Sequence, residues 1–467
     1  MMPIVVFAFL GFLLLFVILG TYALPAFIRK NQSRWSGVWQ EAAGLAFNYL
    51  YLLLILLALS IAGFAWYYVK NTPWESHLME WLNIIVRVMH FTFGIAWIGA
   101  SFYFVFLENA LNRTENVRDE LAGNLWAVHG GGFYYLEKYK VAPKEIPKDL
   151  HWFKYEAYFT WISGFSLLFI VYYFNAEAML IDKNVLDISA LQGIGIGISS
   201  FVAGWVVYDQ LCKSGWIQYG LAFAVFGFIL LTGFAFFYTH VFSARAAYIH
   251  FGALIGTLMV ANVFFVIIPS QKAMVKAAKE GKPLDPSLGK KALARSIHNN
   301  YFTLPVLFVM VSNHFPSTFG YSYPWLSLAI ISLGAAGVKH WLNLKEKKQQ
   351  SVWVMPVSVL LLLAAAFITA PKLNPDACED KVRFAEVNAI IQNRCVSCHS
   401  AKPTDDVFTR APNGVMYDTP EQILAKKQLI MQRVVITKNM PQNNKTKITE
   451  EERNRIRCWI ESGASLD

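Results

Sequence analysis

Residues 216–239 read WIQYGLAFAVFGFILLTGFAFFYT, a stretch without a single charged side chain. A helix rises 1.5 Å per residue, so a run of this length crosses the roughly 30 Å hydrocarbon core of a bilayer. Comparable runs lie on either side, at 3–28, 45–69, 81–107, 152–175, 189–208, 246–269, 300–320, 324–342 and 352–370. They predict about ten membrane spans. The run at 300–320 is interrupted by Pro305 and Pro316. Of the 467 residues, 55% are hydrophobic and 15% charged, against about 25% charged in a soluble globular protein. The formal net charge of +10 would suit a nucleic-acid partner, but Lys and Arg concentrate in the connections between apolar runs, which is a topological signal. The first run begins at Pro3 with no basic segment ahead of it, so it is expected to stay as a helix.

Counting basic residues fixes the expected orientation. The odd-numbered connections hold about 21 Lys and Arg, seven of them between Lys272 and Arg295, while the even-numbered ones hold Lys70, Lys183 and Arg245. This places the odd connections in the cytoplasm and both termini outside. After Ala370 the sequence turns polar. Roughly 90 residues then remain, enough for one small domain stabilised by a cofactor. The expected fold is therefore all-α: a polytopic membrane helix bundle over 1–370, followed by a small all-α class I cytochrome c domain over 371–467.

The cytochrome assignment rests on Cys395-Val396-Ser397-Cys398-His399. Two thiols three positions apart can each form a thioether with one haem vinyl group, and the adjoining His reaches the iron. A zinc or redox Cys pair would leave the His without a purpose. Met440, in Asn439-Met440-Pro441, is the candidate sixth ligand, with Met416 and Met431 as lesser ones. A His/Met haem has a raised potential suited to electron transfer. From Thr449 to Gly463 the sequence predicts a helix, capped by Thr449 with Glu452 three residues on and carrying Ile456, Trp459 and Ile460 on one stripe. Cys378 and Cys458 bracket the motif in a compartment expected to be oxidising, where a disulfide forms more readily than two free thiols persist. Cys212 reads as an inert thiol.

One helix would anchor a cytochrome, so the other spans need a function of their own. His90 follows Arg87 in the third run, and His250 follows Arg245 in the seventh. An ionisable side chain inside a membrane is a functional candidate by default. The two His could ligate a b-type haem whose propionates pair with Arg87 and Arg245; a substrate or proton role and a purely structural one are the alternatives. Phe104 and Phe264 follow the two His at the same interval, as if the runs were distant copies of one unit. Between the third and fourth runs, Leu125–Tyr134 contains Trp126, His129 and three consecutive glycines. Those glycines suit either a turn or a backbone that approaches an anion.

Four segments, Trp97–Glu108, Trp126–Tyr134, Leu150–Phe165 and His298–Pro316 (opening His-Asn-Asn-Tyr-Phe-Thr-Leu-Pro), resemble the bacterial membrane urate oxidases with a fused C-terminal cytochrome c, the PuuD family. The resemblance covers most of the membrane part. It implies oxidation of urate to 5-hydroxyisourate, with water as the oxygen source. Electrons would then leave through haem c to a downstream cytochrome c or terminal oxidase, without hydrogen peroxide. It further implies the bacterial inner membrane, with the cytochrome domain in the periplasm. The family is usually described with fewer than ten spans, which sets the first two apart from the catalytic core. The His90–Trp97–Gly99 pattern also resembles membrane haem b proteins of the protoporphyrinogen oxidase type, which favours ligation by His90.

Urate is a planar monoanion, so its site needs donors for the anion, aromatic walls and a base for water. Lys154, Glu156, His129, Trp126 and Arg87 are residues of the right types. Two other classes compete with this reading: a quinol–cytochrome c oxidoreductase, and a non-catalytic relay subunit that serves another dehydrogenase. A haem–copper oxidase is disfavoured, since no His-Pro-Glu segment suits its copper site.

Overall fold

The computed structural model describes residues 63, 67–69, 72–143, 145–349, 351–370, 378, 382–408 and 410–467. The chain divides into two compact units, Met1–Leu82 and Asn83–Asp467. The candidate functional groups lie in the second.

The order of elements follows the apolar runs. Helix α1 spans Pro73–Ala110, strands β1 and β2 span Leu121–His129 and Gly132–Tyr139, and α2 spans Tyr155–Leu168. The chain continues through a wide π turn over Phe169–Tyr173. Next come α3 (Ala190–Lys213), α4 (Gly220–Thr239) and α5 (Ala244–Lys279). After them lie α6 (Pro286–Ser312), α7 (Pro324–Glu346) and α8 (Val354–Ile368). Among the described residues five helices are long and apolar enough to cross a membrane: His77–Ala110 within α1, then α3, α4, α5 and α7. The runs predicted from 81–107 onward fall on α1 to α8 in order. The runs at 3–28 and 45–69 lie outside the described residues, apart from 63 and 67–69.

Helix α5 occupies the centre of the bundle. Its buried residues point in every direction, from Ala246, Tyr248 and His250 to Phe251, Leu254 and Leu258, the pattern of a helix enclosed by others. In lipid the apolar effect does not drive helices together, and close packing over small residues does. An added Cβ on Gly204 would lie 2.5 Å from Leu254, and one on Gly252 would lie 2.5 Å from Val309. Those contacts draw α3 and α6 onto α5.

A second apolar core forms in the C-terminal part. It gathers Val387 and Ile391 from α9 (Phe384–Arg394), Ile423, and Ile456 and Trp459 from α10 (Glu450–Glu461). The predicted cap is present: Thr449 accepts from the Glu452 N–H, and the Glu452 side chain accepts from the Thr449 N–H. A disulfide joins Cys378 to Cys458.

One expectation needs amending. The chain is predominantly helical but not all-α, because β1 and β2 pair antiparallel, with His129 opposite Gly132. Gly130 and Gly131 adopt φ of +57° and +78°, both in the region that a two-residue type I′ turn demands. The triple glycine therefore builds a hairpin turn rather than an anion-binding loop. Ion pairs from Arg113 and Lys138 to Glu108 hold the hairpin to the end of α1.

Candidate functional site

The Cys-X-X-Cys-His segment begins where α9 ends. His399 Nδ1 lies 2.9 Å from the Val415 carbonyl, so Nδ1 carries the proton and Nε2 is the free lone pair, as in an imidazole set to bind a metal. Cys395 and Cys398 are unbridged. Burial, with the neighbouring Cys398 adding to it, pushes the Cys395 thiol up to about 12, and burial also raises Cys398. Neither is the low-pKa thiolate that a redox Cys pair requires. Met440 packs against the same core as Cys395 and Val396. Its N–H donates to Arg433 O at 3.1 Å, and its carbonyl accepts from the buried Arg453 at 2.8 Å. The donor set fits a covalently attached haem: two thiols, one imidazole with a free Nε2, and one thioether. Among the described residues no group of three or more His, Cys, Asp and Glu could hold a bare metal ion.

The Met440 loop rests on the membrane bundle. Gln442 Nε2 donates to Ala178 O at 2.6 Å, and Asn443 Nδ2 donates to Ala178 O at 3.0 Å and Ile181 O at 2.8 Å. Nearby, an added Cβ on Gly320 would lie 2.5 Å from Thr437 O, so only a glycine admits so close an approach. The strip that receives the loop is itself fixed to α5, because Ser243 bonds to Met179 O and Leu180 O. One turn into α5 from this cap is Ala246, whose carbonyl holds His250 Nδ1 at 2.8 Å.

The two membrane histidines occupy separate cradles. His250 is fully buried among Phe201, Tyr238 and Phe242, and its Nε2 is 3.0 Å from Tyr173 Oη. His90 Nδ1 meets Thr160 O at 2.9 Å, and its ring fills the space where a Cβ on Gly164 would lie 2.7 Å away. The rings thus meet the α2 segment at Gly164 and Tyr173, levels roughly 13 Å apart by helix rise. No hydrogen bond or ring contact joins them among the described residues. Both nitrogens of His250 are engaged, whereas Nε2 of His90 makes no hydrogen bond among the described residues. As placed here, the two histidines do not face one another as a haem-ligating pair.

Toward the opposite end of the bundle, four consecutive residues of α6 each reach a different partner. His298 Nδ1 bonds Tyr208 Oη at 2.9 Å. Asn299 accepts from Asn262 Nδ2 at 2.8 Å and donates to Met259 O at 2.9 Å. Asn300 donates to Ser101 O at 3.4 Å and accepts from Asn343 Nδ2 at 3.1 Å. Tyr301 Oη bonds His340 Nδ1 at 2.6 Å. Asn262 also accepts from Arg295, which pairs with Asp209 at 2.7 Å. A buried charge in lipid needs such a partner. Lys339 makes no hydrogen bond or ion pair among the described residues: it is fully buried, it sits 3.8 Å from the centre of the Phe102 ring, and the charge of Glu346 acts on it only from a distance.

The model of the urate oxidase N-terminal family matches residues 76–370. The chain belongs to that family. No curated protein and no solved structure matches it. The family match runs from α1 to the end of α8 and stops ahead of the Cys-X-X-Cys-His segment. Membership makes the protein an oxidoreductase of urate-related chemistry, set in a chain with helices long enough to cross a membrane.

Within this urate oxidase portion the five sequence-predicted catalytic residues do not converge. Trp126 and His129 lie on the exposed hairpin, where the Trp126 ring lies tilted against Tyr135 with centroids 4.7 Å apart. Arg87 faces outward from α1 and bonds Asn83. Lys154 lies over the Tyr155 ring at 4.8 Å. Glu156 differs from the rest: it sits in the first turn of α2 and its Oε2 is buried without a partner. Sequence reasoning missed Ser101, Phe102, Asn300, Lys339 and Asn343. Two signals were available: Lys339 inside the apolar run at 324–342, and Asn300 at the start of the run at 300–320.

Proposed function

We propose that the protein oxidises urate in its membrane bundle and passes the electrons to a covalently bound haem c at the outer end. Urate takes up one water and loses two electrons and two protons, which yields 5-hydroxyisourate. The oxygen derives from water, so hydrogen peroxide is not a product. Bound through Cys395, Cys398, His399 and Met440, haem c would supply a one-electron acceptor that hands charge to a downstream cytochrome c or terminal oxidase. In this reading the chain makes ten spans of the bacterial inner membrane. Residues 1–370 form the urate-oxidising part and 371–467 a periplasmic cytochrome domain. The excess of Lys and Arg in alternate connections supports the orientation.

The docking of the Met440 loop carries the electron route. Gln442 and Asn443 bind a backbone strip that caps α5, and beneath that strip Tyr173, Tyr238 and Phe242 surround His250. The residue proposed to ligate the iron therefore lies on the loop that touches the catalytic bundle. The Nε2 of His90, which makes no hydrogen bond among the described residues, supports that residue as the one through which a membrane haem b would be held.

The test is anaerobic addition of urate to purified, haem-loaded protein while the reduced haem c spectrum is followed. Urate-driven reduction is expected. Reduction by a quinol and not by urate would replace this reading with a quinol–cytochrome c oxidoreductase, and reduction by neither would leave a relay subunit.

A further inference from the structure

Helices α1, α6 and α7 enclose a set of polar atoms that make no hydrogen bond among the described residues. From α1 come the Ser101 hydroxyl and the Phe102 ring; from α7 come Lys339 and, one turn on, Asn343. The Ser101 Oγ, Lys339 Nζ and Asn343 Oδ1 atoms are all buried without a hydrogen bond. Contacts show that they share one locality. Lys339 Nζ lies on the Phe102 ring at 3.8 Å, and Ser101 O accepts from Asn300 at 3.4 Å. Asn300 in turn accepts from Asn343 at 3.1 Å, and Asn343 shares a helix face with Lys339 at the i, i+4 spacing. No carboxylate of the described residues pairs with Lys339. Glu346, two turns on, acts on the Lys339 charge from beyond ion-pair distance and accepts from Asn109 at 2.9 Å.

Each orphan is costly. A buried polar atom left unsatisfied loses about 1–3 kcal/mol, and a charged one more. Native chains satisfy nearly all such groups, so exceptions need an explanation. The orphan set also has a definite complement. An ammonium offers three donors and a positive charge, a hydroxyl offers a donor and an acceptor, and the amide oxygen offers an acceptor alone. The complementary ligand is anionic, carries both carbonyl oxygens and N–H groups, and has a flat face for Phe102. A purine anion of the urate type meets each requirement.

We infer that Lys339, Ser101, Asn343 and Phe102 form the binding cradle for the urate anion, an assignment that rests on the urate-oxidising reading above. Lys339 neutralises the anion, the Asn343 carbonyl accepts a ring N–H, and Ser101 bonds a ring carbonyl or N–H. The Phe102 ring covers the ammonium in the free protein and stacks on the purine once the anion takes its place. Asn300 orients the Asn343 amide and so acts as a positioning residue. The cradle lies about 20 Å by helix rise from Asn313 at the outer end of α6, so substrate enters from the side opposite the cytochrome loop.

The experiment compares wild type, Lys339→Met, Lys339→Arg and Ser101→Ala as haem-loaded full chains, with urate as the probe and haem c reduction as the readout. Loss of a charge-assisted hydrogen bond corresponds to roughly a 10- to 150-fold rise in KM for Lys339→Met, with partial recovery in Lys339→Arg and a smaller rise in Ser101→Ala. Thermal stability of Lys339→Met should equal or exceed that of wild type, because an unpaired buried charge has been removed. A merely structural lysine would instead lower stability and leave KM alone, and either result would overturn the cradle. If wild type itself shows no urate-driven reduction, the functional reading fails first; if wild type responds and Lys339→Met keeps its KM, only the cradle fails.

Discussion

Removing the side chains of Gln442 and Asn443 together should uncouple urate oxidation from haem c reduction while leaving both ends intact. The two residues make three hydrogen bonds to the Ala178–Ile181 backbone, at 2.6, 3.0 and 2.8 Å. At about 1 kcal/mol net for each bond, the double substitution Gln442→Ala, Asn443→Ala weakens docking by about 3 kcal/mol, a factor of roughly 150. The covalent connection after α8 keeps the C-terminal part nearby, and its effective concentration offsets some of that loss. Urate-driven reduction of haem c, followed by anaerobic stopped-flow absorbance, should therefore slow by roughly 10- to 100-fold with the KM for urate unchanged. Direct reduction by ascorbate should proceed at the wild-type rate, since His399 and Met440 are untouched. A double variant that reduces haem c from urate as fast as wild type would show that electrons do not cross at this contact.

The buried Asp209–Arg295 pair offers a second test. Arg295→Met leaves Asp209 with Lys213 alone and should cost about 3–5 kcal/mol, whereas removing both charges should cost less than the sum; a thermal-unfolding double-mutant cycle in detergent measures this. Cys398→Ala should retain at most one thioether to haem, read as weakened haem staining on a denaturing gel. Burial alone would raise the Asp405 carboxyl, but Lys445 and the Val407 and Phe408 N–H groups together hold it down at about 2. Against an unfolded value near 3.9, this depressed pKa contributes stability that is complete above about pH 4 and is lost as pH falls toward 2. Solvent at Lys445 limits the contribution to about 1 kcal/mol. Asp405→Asn should remove that acid dependence, as followed by tryptophan fluorescence of the full chain between pH 5 and pH 2.

Much of the architecture was legible because it follows from local rules. The apolar runs from 81–107 onward are helices, since lipid leaves backbone groups no other partners. The Cys395–His399 motif and the Thr449 cap act over a few residues, so their chemistry can be read in order along the chain. The hairpin was missed because Leu121–Tyr139 carries no strong alternation, and the glycine turn alone does not announce the strands. The five catalytic candidates were picked by residue type, and type is silent about direction: Trp126 and Arg87 face outward.

By itself the sequence determined which apolar segments from 81–107 onward form helices, where the polar tail begins, and where the two thiols and the imidazole proposed to hold a haem stand in the chain. Only tertiary structure decided that Lys339 of α7 faces Ser101 and Phe102 of α1, that His90 and His250 sit on different levels, and that the Met440 loop lands on Ala178. The physical reason is range. Transfer into lipid and helix capping are fixed within one turn or one span, whereas the pairing of a buried lysine depends on which helices become neighbours, and that is settled by close packing around α5.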